Sequence, residues 1–130
     1  MTGDRTSPTA YDVVVAGAGN AAMCAALAAA ENGARVLVIE KAPPEARGGN
    51  TFFTGGAFRF PYNGLDDVRR LVPDLSDAEA ATIDVGSYPA AQFRDDLERV
   101  SDSLADPELM DILGANSYPT MLWMQHRRNA

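Results

Sequence analysis

The sequence predicts an α/β chain: two parallel strands joined by a helix, then a glycine-rich loop, then a helical segment. Three observations predict it. Two apolar runs, Val13-Val14-Val15 and Val36-Leu37-Val38-Ile39, flank the helix-forming stretch Ala21 to Glu31. Glycine and proline then crowd the stretch from Lys41 to Gly64. Beyond it, apolar residues return at the spacing of amphipathic helices.

Residues 1–10 carry Ser7, Pro8 and threonines and read as a polar leader. The run Tyr11 to Ala16 has strand character and no polar face, the pattern of a strand buried on both sides in a parallel sheet. Asn32-Gly33 is a suitable stop for the helix, and Glu40 ends the second strand. Connections this short around a helix require the strands to run parallel. In the loop, Pro43-Pro44, Gly48-Gly49 and Gly55-Gly56 break regular structure around an aromatic cluster of Phe52, Phe53, Phe58, Phe60 and Tyr62. A loop of that length is either functional or poorly ordered. Ser76-Asp77-Ala78-Glu79 fits a capping box that opens a helix. Within and after the helix from Pro89 to Val100, Phe93, Leu97, Val100 and Leu104 form one apolar stripe. Asp106-Pro107 is a good N-cap and first-turn pair for a helix carrying Leu109, Ile112 and Leu113. Ser117 to Gln125 begins another, with Leu122 and Trp123.

Composition narrows the functional classes. The net charge of −7 gives no reason to expect a general nucleic-acid or anionic-membrane binder. With one cysteine, Cys24, and one histidine, His126, no internal disulfide can form and no metal site of such ligands can be assembled. Cys24 lies in an alanine-rich helical stretch and reads as a small buried hydrophobe. The nearly uncharged run Val13 to Ala30 superficially resembles a signal segment, but only Arg5 precedes it as a positive side chain, and Gly17, Gly19 and Asn20 interrupt it. A soluble, cytoplasmic protein is expected.

Those interruptions have a better explanation. The first strand leads into Gly17-Ala18-Gly19, with Ala22 at the third small position, then Ala26, Gly33, Val36, Ile39 and Glu40 at the offsets of a dinucleotide-binding unit. Gly17 permits the tight turn out of the strand, and Gly19 lets the backbone approach a pyrophosphate. Ala22 and Ala26 let the helix pack close to the sheet. The helix N-terminus, from Asn20 and Ala21 onward, offers unpaired N–H groups and a positive dipole end to phosphates. Glu40 can accept hydrogen bonds from both ribose hydroxyls, and its charge would repel a 2′-phosphate, which argues against NADP. The loop separates FAD from NAD. Gly48-Gly49-Asn50-Thr51 and Thr54-Gly55-Gly56-Ala57 supply a second set of bare amides and short hydroxyls, where an NAD fold would proceed to another helix and strand. The cofactor expected is FAD.

From Val13 to Ala57 the sequence resembles the N-terminus of the FAD-dependent oxidoreductase 2 family, the fumarate reductase/succinate dehydrogenase flavoproteins. Within it the chain is most similar to tricarballylate dehydrogenase-like proteins, a resemblance that extends through Phe93-Arg94-Asp95-Asp96-Leu97 and Asp106-Pro107-Glu108-Leu109 to Tyr118. It implies that Gly17, Gly19, Asn20 and Ala21 meet the pyrophosphate and that Glu40 and Lys41 meet the adenosine ribose region. It further implies that Asn50, Thr51, Thr54, Gly55 and Gly56 run along the pyrophosphate and ribityl chain toward flavin N5. Membrane-bound members attach FAD to a histidine in the segment matching Asn50-Thr51. No histidine stands there, so noncovalent FAD is expected. Family members run several times longer, and their substrate-capping domain and proton-delivering arginine lie beyond the part matched, so no catalytic residue is nominated.

The expected organisation is a polar leader over 1–10, the N-terminal part of an FAD-binding domain over 11–64, and a helical segment over 65–130. Two strands cannot make an independent sheet, so the Rossmann-type βαβ unit is expected to be incomplete. The expected parent is an FAD-dependent enzyme exchanging a hydride with a C–C bond next to a carboxylate, with a small carboxylate substrate, an electron partner the sequence does not identify, no nucleic acid and no membrane insertion. The alternatives are a noncatalytic adenine-dinucleotide-binding module and a piece of a ketosteroid dehydrogenase. Arg59 and the aromatic cluster read as a solvated charge and packing before they read as a substrate cleft.

Overall fold

The computed structural model describes residues 10–128. The polar leader therefore lies, apart from Ala10, outside the described residues. The chain forms two compact units, divided between Ala57 and Phe58.

The first unit is the β-α-β element. Strand β1 (Val13–Ala16), helix α1 (Asn20–Glu31) and strand β2 (Val36–Ile39) follow in order. The strands pair in parallel, from Val13 opposite Val36 to Ala16 opposite Ile39. Their common start is fixed from both sides: the Asp12 N–H donates to the Arg35 carbonyl at 2.9 Å, and the Arg35 N–H donates to Asp12 Oδ2 at 2.8 Å. Helix α1 packs on both strands with Ala26 buried, so a small side chain sits where helix and sheet come closest. It ends as its sequence directs, with Gly33 at φ 79° and its N–H on the Ala30 carbonyl at 2.9 Å. One expectation fails here. The strands are not buried on both faces: Val13 and Val15 are half-buried, while Val14 is 58% exposed and Ile39 49%. A single helix covers one face of the pair, and alternate side chains of a strand reach the other.

The second unit holds α2 (Leu65–Leu71), α3 (Asp77–Ala80), α4 (Ala90–Val100) and α5 (Pro107–Arg128). An antiparallel bridge joins Tyr62 to Tyr88. Ala80, Phe93 and Met110 form its buried core, and α5 is tied to α2 by the Tyr118 hydroxyl, which donates to the Asp67 carbonyl at 2.9 Å. The capping box is present in both halves: Ser76 Oγ accepts from the Glu79 N–H at 3.3 Å, and Glu79 Oε2 accepts from the Ser76 N–H at 3.0 Å. Asp106 caps α5, its Oδ1 accepting from the N–H groups of Glu108 at 2.8 Å and Leu109 at 3.3 Å.

Two helical readings need correction. The helix expected to begin at Ser117 is the second half of α5, a continuous helix of 22 residues with Pro119 inside it. An internal proline costs a helix about 3 kcal/mol, and packing of the turns before it offsets that cost: Met110 is buried, and Tyr118 is pinned to α2. The Thr120 hydroxyl donates to the Asn116 carbonyl at 2.7 Å. The apolar stripe of α4 also holds for only half its length. Phe93 is buried, but Val100 is 65% exposed and Leu104 88%, because the helix ends at Val100 and the chain turns through Asp102 and Ser103 at positive φ. Among the described residues no helix is long and apolar enough to cross a membrane.

Candidate functional site

The first bend of the β-α-β unit carries the candidate site. Gly17 has φ 105°, a conformation that side chains rarely adopt, and its N–H donates to the Ile39 carbonyl at 2.7 Å, extending the ladder one residue past β1. Gly19 is a different case. Its φ of −76° suits any residue, but a Cβ there would stand 3.1 Å from the Gly48 carbonyl oxygen and 3.4 Å from Thr51 Oγ1. Space, not conformation, requires glycine.

Those two neighbours belong to the loop after β2. Gly49–Phe53 coils into a short 3₁₀ helix that follows Gly48 at φ 106°. The coil brings Thr51 Oγ1 to 3.0 Å from the Asn20 N–H, which donates to it. Gly19 is the N-cap of α1 and has no side chain to cap with, so Thr51 supplies the missing hydroxyl from the other loop. Thr51→Val is therefore expected to lower stability by about 1 kcal/mol in chemical unfolding, with Thr51→Ser close to wild type. Equal stability of the valine and serine variants would remove the capping role.

Glu40 closes the arrangement. Its Oε2 accepts from the Ala18 N–H at 2.8 Å and its Oε1 from the Ala42 N–H at 2.8 Å. These two amides, Ala42 foremost, hold the carboxyl below its ordinary range, so it carries full charge at neutral pH beside the bend. The bend, the acid at the end of β2 and the loop from Gly48 to Thr51 thus meet in one place.

The other predicted residues are placed more loosely. Ala21 and Ala22 lie in the first turn of α1, Ala22 Cβ being 3.9 Å from where a Gly17 Cβ would stand. Lys41 follows Glu40 and is exposed, as are Gly49 and Asn50. Thr54 joins the 3₁₀ helix through its hydroxyl, which donates to the Thr51 carbonyl at 3.0 Å and accepts from the Gly56 N–H at 3.3 Å. Gly55 and Gly56 have φ of 62° and 77° with open space beside them. Sequence reasoning missed the Ala18–Glu40 and Asn20–Thr51 bonds. Cys24, read as a buried hydrophobe, is half-buried, its thiol 4.0 Å from Asn20 Oδ1.

The groups fit a dinucleotide on chemical grounds. The N-terminus of a helix, glycines that hold two backbones at close approach and an ionised carboxylate beside them match a pyrophosphate and its adjoining ribose.

Comparison with known proteins agrees. The family model described as FAD binding domain matches residues 12–128. Among curated proteins, the urocanate reductase of Eggerthella lenta is 34% identical over 116 residues, 89% of this chain and 16% of the relative. The 3-oxosteroid 1-dehydrogenase of Mycolicibacterium smegmatis is 34% identical over 126 residues, 95% of this chain and 20% of the relative. The fumarate reductase (cytochrome) of Shewanella frigidimarina is 27% identical over 113 residues, 87% of this chain and 17% of the relative. The chain thus spans no more than a fifth of the length of these relatives. No solved structure matches it significantly.

Proposed function

This chain belongs to the FAD binding domain family, and we propose that it is the N-terminal FAD-binding portion of a flavin-dependent oxidoreductase that acts on a C–C bond next to a carboxylate. The observation that best supports this reading is the Glu40 carboxylate bonded to the Ala18 amide, with the acid proposed for the ribose beside the bend proposed for the phosphates. Bound FAD supplies the redox chemistry, hydride exchange at N5, and the chain's own residues bind and orient it. Gly17, Ala18, Gly19, Asn20, Ala21 and Ala22 hold the pyrophosphate, and Glu40 with Lys41 holds the adenosine ribose. Gly48, Gly49, Asn50, Thr51, Thr54, Gly55 and Gly56 continue along the pyrophosphate and ribityl chain. Attachment is noncovalent, since residues 50 and 51 are Asn and Thr.

A small carboxylate substrate is supported by two relatives named for fumarate and urocanate. Tricarballylate rests on the resemblance described above. The 34% identity to a 3-oxosteroid 1-dehydrogenase favours a second reading, in which the parent oxidises a steroid ring. In either case residues 1–130 alone are assigned no turnover, and a cytoplasmic location is part of the same proposal. The test is purification and a visible spectrum. The expected protein is yellow, with all flavin in the supernatant after acid precipitation. Flavin left in the pellet would refute noncovalent binding, and a colourless protein that takes up no added FAD would refute the site. Clear dye-coupled oxidation of tricarballylate or succinate by the 130 residues would refute their inactivity.

The acid also sets a pH dependence. Glu40 has its folded pKa depressed, so its contribution is complete above the unfolded value of about 4.3 and is lost as pH falls through the lower folded value. FAD affinity is expected to be flat from about pH 6 to 8 and to fall in acid only as pH drops through the depressed folded value of Glu40. In Glu40→Gln the affinity at neutral pH should fall about tenfold or more and this acid limb should flatten. A Gln variant with the wild-type profile, followed by flavin fluorescence, would assign the limb to another group.

A further inference from the structure

Tyr62 and Tyr88 exchange backbone hydrogen bonds, 2.9 Å in each direction, and beside them lies a cleft of about 310 Å³ lined by Phe58, Arg59, Phe60, Tyr62, Tyr88 and Asp96. That volume is at the lower end of small-molecule sites, about 300–1,000 Å³. Its charges are unevenly matched. Asp96 accepts two short bonds, from the Tyr88 hydroxyl to Oδ2 at 2.6 Å and from Arg99 Nη2 to Oδ1 at 2.8 Å. Arg99, then the Tyr88 hydroxyl, hold the Asp96 carboxyl below its ordinary range, while burial and then Asp96 push the Tyr88 phenol up.

Arg59 comes third. Its Nη1 reaches Asp96 Oδ2 and the Tyr88 oxygen only at 3.5 Å each, and its side chain is 66% exposed. Two guanidinium groups around one carboxylate leave one positive charge in excess. Since Arg99 makes the short bond, the excess sits on Arg59, whose Cζ lies 5.8 Å from the centre of the Tyr88 ring. The surrounding walls are aromatic, and Phe58 is 48% exposed. A flat body against the rings with an anionic end on the guanidinium fork satisfies both features.

We propose that this cleft is a binding site for a small planar carboxylate, with Arg59 holding the carboxylate and Phe58, Phe60 and Tyr62 the flat body. All of these residues belong to the second unit, so the site does not depend on the flavin reading. The probe is benzoate, titrated calorimetrically into the full chain, with benzamide as the uncharged isostere. Benzoate should bind with a Kd of about 1 mM or tighter and benzamide at least about tenfold more weakly. Arg59→Gln should weaken benzoate about tenfold. Asp96→Asn, which removes the competing anion and keeps an oxygen for the Tyr88 hydroxyl, should tighten it about threefold. Each result should be the same with and without FAD, so a failure of flavin binding leaves the benzoate measurements readable. Absent binding, equal binding of benzoate and benzamide, unchanged affinity in Arg59→Gln, or weaker binding in Asp96→Asn would each overturn the site.

Discussion

Gly19→Val is expected to bind FAD at least about 100-fold more weakly than the wild-type chain. The backbone at Gly19 accepts any residue, so the loss is spatial. A Cβ placed 3.1 Å from the Gly48 carbonyl oxygen meets backbone, which cannot swing aside as a flexible side chain can. Overpacking of this kind costs about 1–3 kcal/mol. Relief comes only by moving the loop, which also draws Thr51 Oγ1 away from the Asn20 amide. The control is Gly114→Ala in α5. There a Cβ would stand 3.7 Å from Phe93 Cδ1, an ordinary contact, and alanine in a helix gains about 0.5–1 kcal/mol over glycine. FAD fluorescence titrations should separate the two variants cleanly. Gly19→Val binding within threefold of wild type would show that the loop does not need to lie against the bend.

Phe93→Ala is expected to cost about 3–5 kcal/mol, a large share of the roughly 5–15 kcal/mol that holds a domain together. Phe93 is 2% exposed. Its ring meets Tyr88 edge-on, with centroids 5.9 Å apart, and faces Gly114 on α5. It is therefore a buried contact between α4 and α5, beside the Arg94–Asp111 ion pair that also joins them. Leu104, on the same sequence stripe, is 88% exposed, and Leu104→Ala should stay within about 0.5 kcal/mol of wild type. Urea unfolding of the full chain followed by Trp123 fluorescence checks both. Similar midpoints for the two variants would mean that the stripe, not the contact, determines the stability.

That contrast shows where the sequence was legible. The strands, α1, the Gly33 stop, the Ser76 capping box and the Asp106 cap were readable because local chemistry fixes each of them. The stripe overran at Val100 and Leu104 because periodicity does not reveal where a chain turns away from its partner. Ser117 read as the start of a separate helix because the Tyr118 bond to Asp67, 51 residues away, leaves no signal in the local sequence. At the bend, spacing picked out Gly17, Gly19 and Glu40, and the structure brings the Glu40 carboxylate to the Ala18 amide between the two glycines. The Thr51 cap was not legible, because its hydroxyl and the Asn20 amide are 31 residues apart and only the 3₁₀ coil of the loop joins them. Arg59 read as a solvated charge, and its side chain is 66% exposed; its place beside Asp96 was not legible, because 37 residues separate the two.

In the proposed reading the bend and Glu40 hold the adenine half of the cofactor, and comparing FAD with FMN isolates that half. Both carry the isoalloxazine and ribityl phosphate, while FAD alone has the second phosphate and the adenosine ribose. Titrated into the same chain, FAD should bind at least about 100-fold more tightly than FMN, and Glu40→Gln should narrow the gap. Equal affinities for the two would place recognition elsewhere and contradict the assignment of the first bend.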